Sequence, residues 1–443
     1  MPSNSSAINI APLLDDGNWS TYQKLALLMA ALTIVFDGMD IQALGFAIPS
    51  MMKEFSAPRA VFATIAAVSL IGMSIGTMIA GAFGDRFGRK PVLVGCVIFF
   101  GMLTAATAFA DDVMTLGILR FVAGLGLGGA LPNATTLSAE FTPTKHRALG
   151  VVLTIVCVPF GGMLGGLIAG EVLPTQGWRA LFLIAGLIPV AVGVLLIFIL
   201  PESPRFLVHH PRRQAELIKL LNRCGHRFGA DTSLVDLTEK VEGRFQLSLL
   251  FSSEYLRNTL LLWAGFFFCY VATYALFSWL PSMLAGAGFG LAVASKGLTA
   301  FNLGGVVGAI SAAVLIGRLG SKRVLLVCAG GAVAVALWLP SIPLNVADPS
   351  TLIVGLAIAG AFINAVQSSL FALAAHVYAS YVRATGSGAA IGVGRIGAVL
   401  SSFLGAAVLQ LGGSDAFYGL IALTMCITFI TLALLDKHIQ RSK

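Results

Sequence analysis

Runs of about twenty apolar residues recur along this chain almost from end to end, and no other feature narrows its fold as much. A helix needs about 20 such residues to cross the hydrocarbon of a bilayer. Twelve stretches meet that condition, near 22–48, 60–83, 91–110, 113–140, 148–170, 178–200, 258–284, 292–317, 323–343, 350–377, 384–410 and 413–435. Lipid offers no partner to a backbone amide, so segments of this length are expected to be helices. Composition agrees. Of 443 residues, 57% are hydrophobic and only 11% charged, against about 25% charged in soluble domains. Fifty glycines suit close helix approach inside a membrane.

One long polar segment separates the sixth stretch from the seventh. The expected division is a tail (1–21), a six-helix bundle (22–200), a connector (201–257), a second six-helix bundle (258–435) and a short tail (436–443). The first 21 residues are polar, carry Asp15 and Asp16, and lack an early apolar core, so no cleavable signal is expected. Lysine and arginine placement sets the orientation. With both termini cytoplasmic and the long connector left aside, thirteen basic residues lie inside and four outside (Lys53, Arg59, Arg179, Lys296). Within the connector, residues 212–221 have the apolar spacing of a short amphipathic helix. It is expected to lie on the membrane surface, or else to hold a regulatory partner. Six cysteines stand singly, five of them inside apolar runs, and are read as packing residues.

The halves look repeated. Gly81-Ala82-Phe83-Gly84-Asp85-Arg86 in the first half is echoed by Gly317-Arg318-Leu319-Gly320-Ser321-Lys322 in the second. Arg147-Ala148-Leu149-Gly150 is echoed by Arg383-Ala384-Thr385-Gly386 at the same offset along the chain. One offset shared by two motifs argues for duplication of a six-span unit. Parallel repeats of this kind place a substrate site near the midplane, between the halves.

Charge inside a span is costly, and is functional by default. The candidates are Asp37 and Asp40 in span 1, Arg120 and Glu140 in span 4, and Arg395 in span 11. Asp37 and Asp40 are three residues apart, on one helix face continued by Thr33. Burial and mutual repulsion disfavour two charged carboxylates, so at least one is expected to take up a proton readily. The alternatives are a fixed ion pair with Arg120 or Arg395, or capping of a helix broken at Gly38. Either arginine suits a carboxylate, because a guanidinium binds it in a two-pronged contact. Span 10 places Asn364, Gln367, Phe371 and Tyr378 on one stripe, and span 7 carries Tyr270, Tyr274, Phe277 and Trp279. These are packing residues or the lining of a pocket for a flat, partly apolar acid. His376 precedes Arg383 by seven residues, as Glu140 precedes Arg147, and is read as structural or as a titrating group at a span end.

At Gly84-Asp85-Arg86-Phe87-Gly88-Arg89-Lys90-Pro91 the chain resembles the major facilitator superfamily, whose signature loop joins spans 2 and 3. Within it the chain is similar to the aromatic acid:proton symporters. The similarity is carried by Asp37-Gly38-Met39-Asp40, the glycine-rich run after Arg120, Gly177-Trp178-Arg179, Pro201-Glu202-Ser203-Pro204-Arg205, Trp279-Leu280-Pro281, and Arg383 through Gly397. The resemblance implies a twelve-helix, all-α fold of two pseudo-symmetric bundles in a bacterial inner membrane, and proton-coupled import of benzoate-like or hydroxybenzoate-like acids. It makes Asp37 and Asp40 coupling residues, Arg120, Glu140, Arg383 and Arg395 transport-critical charges, and Asp85 and Arg89 parts of a gating loop that includes Arg86. Two departures stand out: Ser321 where the first half has Asp85, and Ala379 after Tyr378 where relatives often have proline.

The leading expectation is therefore uptake of a small aromatic acid with protons. Its substrate would be bound by Arg395 and Arg120 with Gln367, Asn364, Tyr270 and Tyr274. The alternatives are a proton-driven exporter, suggested by Val158-Pro159-Phe160-Gly161-Gly162, a sugar or polyol symporter, and a membrane sensor that binds without transport. No nucleophile–base constellation, metal cluster or phosphate loop is found, so neither an enzyme, a metal nor a cofactor is expected. The partners are the acid, protons and the bilayer, with no nucleic acid, and a monomer suffices.

Overall fold

The computed structural model describes residues 8–17, 19–229, 232–236, 247–253, 255–342, 346, 348–378 and 380–441, without the side chains of 148, 149, 247, 248, 380, 381, 383 and 384. Ten described helices are long and apolar enough to cross a membrane. Two of them cannot do so as single rods. Arg147–Ile199 has 53 residues and Ser380–Leu434 has 55, roughly 80 Å each at 1.5 Å per residue, against a hydrocarbon core of about 30 Å. The backbone leaves helical geometry at Gly177 in the first and at Gly412 and Gly413 in the second. Each is therefore a pair of spans joined by a glycine turn, and the total is twelve.

The spans are 1 (Thr21–Glu54), 2 (Arg59–Phe87), 3 (Arg89–Thr107), 4 (Val113–Glu140), 5 and 6 (147–176 and 178–199), 7 (Leu256–Gly286), 8 (Leu291–Leu319), 9 (Ser321–Trp338), 10 (Ser350–Val377), and 11 and 12 (380–411 and 414–434). Span 1 opens with a capping box, Ser20 accepting from the Gln23 amide and Gln23 accepting from Ser20. It runs unbroken through Gly38, so no helix end exists there to be capped. Gly38 has another use. A Cβ on it would strike the Val158 carbonyl, and one on Gly161 would strike that of Val35. These two glycines let spans 1 and 5 touch backbone to backbone.

The same device builds each half. Spans 2 and 4 close through Gly72, Gly76, Gly124 and Gly128, and spans 8 and 10 through Gly304, Gly308 and Gly360. Span 1 packs on 5 as 7 packs on 11, and span 3 on 6 as 9 on 12. The registers differ from the expected one. Gly72 on span 2 and Gly304 on span 8 play one role, and Gly124 on span 4 and Gly360 on span 10 play another. The first pair is related by a shorter offset than the second, and only the second keeps the offset of the sequence motifs. The turn into span 3 is Gly88 and that into span 9 is Gly320, again at the shorter offset. Gly84-Asp85 therefore does not correspond to Gly320-Ser321. Arg89 corresponds to Ser321, and Asp85 to Gly317. The motif that opens at Arg147 and Arg383 does keep the longer offset. A small insertion lies between spans 8 and 10, which a sequence match to the wrong glycine concealed.

On the side that bears the termini, tail and connector fold together. Ile8–Asn9 pairs in parallel with Leu234–Val235, and Asp15, ending a short helix Ile10–Asp15, meets Arg147 and Arg205. The amphipathic stretch forms the helix Gln214–Arg223, but Leu217, Ile218, Leu220 and Leu221 are buried against protein rather than laid out to face lipid. The six cysteines are all free.

Candidate functional site

Span 1 carries two carboxylates into the middle of the bundle, and packing sends them to different places. Asp40 turns inward, toward spans 3 and 4. Arg120 donates from Nη2 to its Oδ2 at 2.5 Å and from Nη1 to its Oδ1 at 3.2 Å, and the Thr104 hydroxyl donates to Oδ1. The guanidinium is also 5.5 Å from the centre of the Phe182 ring. Both partners are essentially solvent-free. The two-pronged geometry matches charge to charge, so this pair is neutral as a unit.

Asp37, less than one turn earlier, faces the gap between the halves. It is 0% exposed, and neither of its oxygens accepts a hydrogen bond from the described residues. Across the gap stands Arg395, 9% exposed. Gly397 lets span 11 lie on the Phe267 carbonyl of span 7, and Gly394 packs on the Tyr270 ring. The Arg395 guanidinium therefore emerges beside Tyr274, donating to its hydroxyl at 3.3 Å, and reaches over to Met73 Sδ of the other half at 2.8 Å. Its Nε has no hydrogen-bond partner among the described residues.

Asp37 and Arg395 line one cavity with Tyr270, Tyr274, Phe277 and Phe371 as aromatic walls, and with Asn364, Gln367 and Ser368 as polar lining. Pro159 and Met73 close it from the first half. Asn364 is held by a bond from its Nδ2 to the Gly360 carbonyl at 3.1 Å, which fixes the amide on its own helix. The space open to the centres of water molecules is about 50 Å³, a few waters' worth. A ring-sized acid fits only when side chains draw back.

The candidates thus fall into three groups. Asp37, Arg395, Tyr270, Tyr274, Asn364 and Gln367 share the cavity. Asp40 and Arg120 stand outside it, engaged with each other. Asp85, Arg86, Arg89 and Glu140 gather at the terminus-bearing side. There Arg89 pairs with Asp85, Arg86 covers the Phe87 ring, and Glu140 faces Arg89, Ser203 and Arg205. The Arg383 side chain and Ala379 lie outside the described residues. Two aromatic candidates also leave the cavity. Tyr378 sits past the end of span 10 and donates to Thr259 at 3.2 Å, and Trp279 donates to the Ser402 carbonyl at 2.9 Å. His376 is exposed.

Sequence reasoning missed Met73 and Thr104, which carry no signal in a single chain. It also undervalued Glu202. That residue is buried, and its Oε1 accepts from the backbone N–H of Arg89, Lys90 and Ser203 at 3.0, 3.0 and 2.8 Å. It caps the bare N-terminus of span 3, where no residue at the cap position does so.

The family model of the Major Facilitator Superfamily matches residues 30–400. The chain is 35% identical over 413 residues to a gallate transporter of Pseudomonas putida, covering 93% of this chain and 91% of that protein. It is 36% identical over 413 residues to a 4-hydroxybenzoate transporter of the same organism, covering 92% and 89%. A benzoate transport protein of Acinetobacter baylyi is 29% identical over 432 residues, covering 95% and 91%. Among solved structures, the inward open conformation of the xylose transporter from E. coli superposes with a TM-score of 0.74 at 16% identity, covering 94% of this chain and 97% of that one. That likeness concerns the fold alone.

Proposed function

The chain belongs to the Major Facilitator Superfamily, and we propose that within it this protein imports a small aromatic carboxylic acid together with a proton. One observation carries the proposal: an unpaired buried carboxyl from the first half and a buried guanidinium from the second face one aromatic-walled cavity. The relatives named above as gallate, 4-hydroxybenzoate and benzoate transporters support the substrate class. The walls formed by Tyr270, Tyr274, Phe277 and Phe371 suit a flat ring, and Asn364, Gln367 and Ser368 suit its polar substituents.

The coupling follows from charge. Closing a site around a net charge in a low-dielectric interior costs several kcal/mol. Each step of about 1.4 kcal/mol is a tenfold change in population. Empty, with Asp37 ionised and Arg395 cationic, the site is neutral. Loaded, with Asp37 protonated and the acid's carboxylate on Arg395, it is neutral again. Proton alone leaves it at +1, and anion alone at −1. Only the two neutral forms close readily, so one proton accompanies one monoanion. The Asp40–Arg120 pair adds nothing to this count, because it is neutral throughout.

In the full cycle the halves 22–200 and 258–435 rock about the site. The terminus-bearing side, with its excess of lysine and arginine, is the cytoplasmic side of a bacterial inner membrane. The gating loop Asp85–Arg89, with Arg86, Glu140 and Arg383, remakes its contacts there.

Uptake into proteoliposomes tests this. Radiolabelled 4-hydroxybenzoate, competed by benzoate, gentisate, protocatechuate and muconate, is expected to accumulate when the outside is acidified. An exporter responds by efflux instead. Asp37→Asn is expected to lose proton-driven accumulation while retaining exchange of internal for external acid, since its site stays neutral only when loaded. Accumulation by Asp37→Asn against a gradient sinks the mechanism.

A further inference from the structure

Between the cavity and the side away from the termini, two buried amides meet across the halves. Gln42 Nε2 donates to Asn302 Oδ1 at 3.1 Å, and Asn302 Nδ2 donates to Gln42 Oε1 at 2.6 Å. Both residues are 0% exposed. Span 1 runs away from the terminus-bearing side and span 8 runs back toward it, so Gln42 is beyond Asp37 and Asn302 is within the outer half of its span.

The surroundings are built for closure. A Cβ on Gly45 would strike the Phe277 carbonyl, one on Gly166 would strike Thr299, and one on Gly162 would overlap the Gln42 amide itself. Farther out, Arg59 Nη1 reaches the Leu409 carbonyl at 3.4 Å. Among the described residues, hydrogen bonds between the halves lie at the level of Arg395 or on this outer side. The seam is therefore shut here, and this amide pair is its fully buried polar element.

We propose that Gln42 and Asn302 form an amide clasp that is the polar latch of the outer gate, bonded when the cavity is shut from outside and hydrated when the halves part. The proposal rests on the transport reading above only in taking the two halves to move apart. The clasp is also asymmetric. Asn302 Nδ2 donates in addition to the Leu298 carbonyl of its own helix at 2.9 Å, so Asn302 stays in place, whereas among the described residues the Gln42 amide has only Asn302. Truncating Asn302 strands both polar atoms of Gln42 in the shut state. Truncating Gln42 strands less, because Asn302 keeps one bond. An unsatisfied buried polar group is costly out of water and not in it, so both truncations favour the parted state, Asn302→Ala more. Replacing both by leucine does the reverse, because an apolar pair packs when shut and meets water when parted.

The test is labelling of a cysteine that lines the closed outer seam, level with Gly45. Ser278→Cys lies on a small void beside Gly45 and Tyr274, and is introduced with the six native cysteines replaced. A membrane-impermeant maleimide is added without substrate, so the result does not depend on which acid is carried. From the side opposite the termini, Asn302→Ala is expected to raise the labelling rate about tenfold, Gln42→Ala is expected to raise it less, and Gln42→Leu with Asn302→Leu is expected to lower it below the parent. Monodisperse elution in detergent confirms folding of each variant, and Gly162→Ala, which crowds Gln42 without removing either amide, is a second route to acceleration. Unchanged rates in the truncations, acceleration by the leucine pair, or acceleration seen from the terminus-bearing side each overturn the clasp, whatever the outcome of the uptake assay.

Discussion

Spans 3 and 9 begin at glycines in the same unusual conformation, φ 105° at Gly88 and 81° at Gly320, yet different groups close them. At span 3 a buried carboxylate, Glu202, collects three backbone N–H groups. At span 9 the C-terminal tail does the work, with the Ser321 amide donating to the Ile439 carbonyl at 2.9 Å and the Ile439 amide to the Ser321 hydroxyl at 2.8 Å. The interiors differ in the same sense. The first half holds Asp37, Asp40 and Arg120 in its spans, and the second holds Arg395. The first half thus neutralises one buried pair within itself and presents one acid to the gap, while the second presents one base. On the proposed reading, fixed charge is satisfied inside one half, and coupling charge is left to be satisfied across the seam between the halves.

That division breaks if the inner pair proves to be part of the transport machinery. Arg120→Leu leaves Asp40 buried without its counter-charge, and is expected to cost about 3–5 kcal/mol, the largest effect of the series. Thermal unfolding in detergent measures it. Asp40→Leu combined with Arg120→Met removes both charges and is expected to recover most of the loss and to keep proton-driven uptake. A double variant that folds but cannot accumulate acid erases the distinction between Asp37 and Asp40.

The closing groups sharpen the comparison at a smaller scale. Glu202→Ala frees three N–H groups at the start of span 3, and is expected to destabilise by about 1.5–3 kcal/mol, the range for a hydrogen bond to a charged group. Glu202→Gln keeps an acceptor oxygen and is expected to recover part of that. The same unfolding assay reads both. Equal losses in the two variants shift the weight from the cap to the ion pair with Arg213, 3.8 Å away.

Much of this was legible in the amino-acid order. Span count, the connector and the short list of buried charges follow from hydropathy and the cost of charge in lipid, and six proposed site residues do share the cavity. Which of Asp37 and Asp40 is paired was not legible. Three residues on a helix differ by about 60° in direction, and only the packing of span 1 on spans 3 and 4 decides which carboxyl meets Arg120. The Gln42–Asn302 bonds span 260 positions, and neither residue stands out locally. Tyr378 was misplaced because a helical stripe was extended past Val377, where span 10 ends. The repeat register was misread because Gly84 and Gly88 both resemble Gly320, and only the left-handed turn at Gly88 selects between them.

The smallest expected effect concerns the tail that closes span 9. His438 is mostly buried beside this turn, with Nε2 donating to the Leu432 carbonyl at 3.2 Å, so Nδ1 is left to accept from the Ser321 hydroxyl at 3.2 Å. Ser321 is thereby fully used, accepting from Ile439 and donating to His438. Burial holds the imidazole below its usual value, and Lys322 and His376 push the same way. The undocked tail therefore takes up its proton first. Docking is at full strength above about pH 6.5 and weakens as the pH falls through that value toward the lower one of the docked state, below which no further loss occurs. Hydrogen exchange of the Ile439 amide, followed from pH 8 to 5 after correction for intrinsic rates, is expected to show protection falling over that window. It should be flat in Ser321→Ala, which removes the acceptor for that amide at every pH. Span 3 is closed by a carboxylate bonded to backbone rather than by an imidazole, so the Arg89 amide, followed in the same experiment, is the control. A parallel decline at both turns would mean that the whole terminus-bearing side loosens in acid, and the contrast between the halves would then belong to neither closing group.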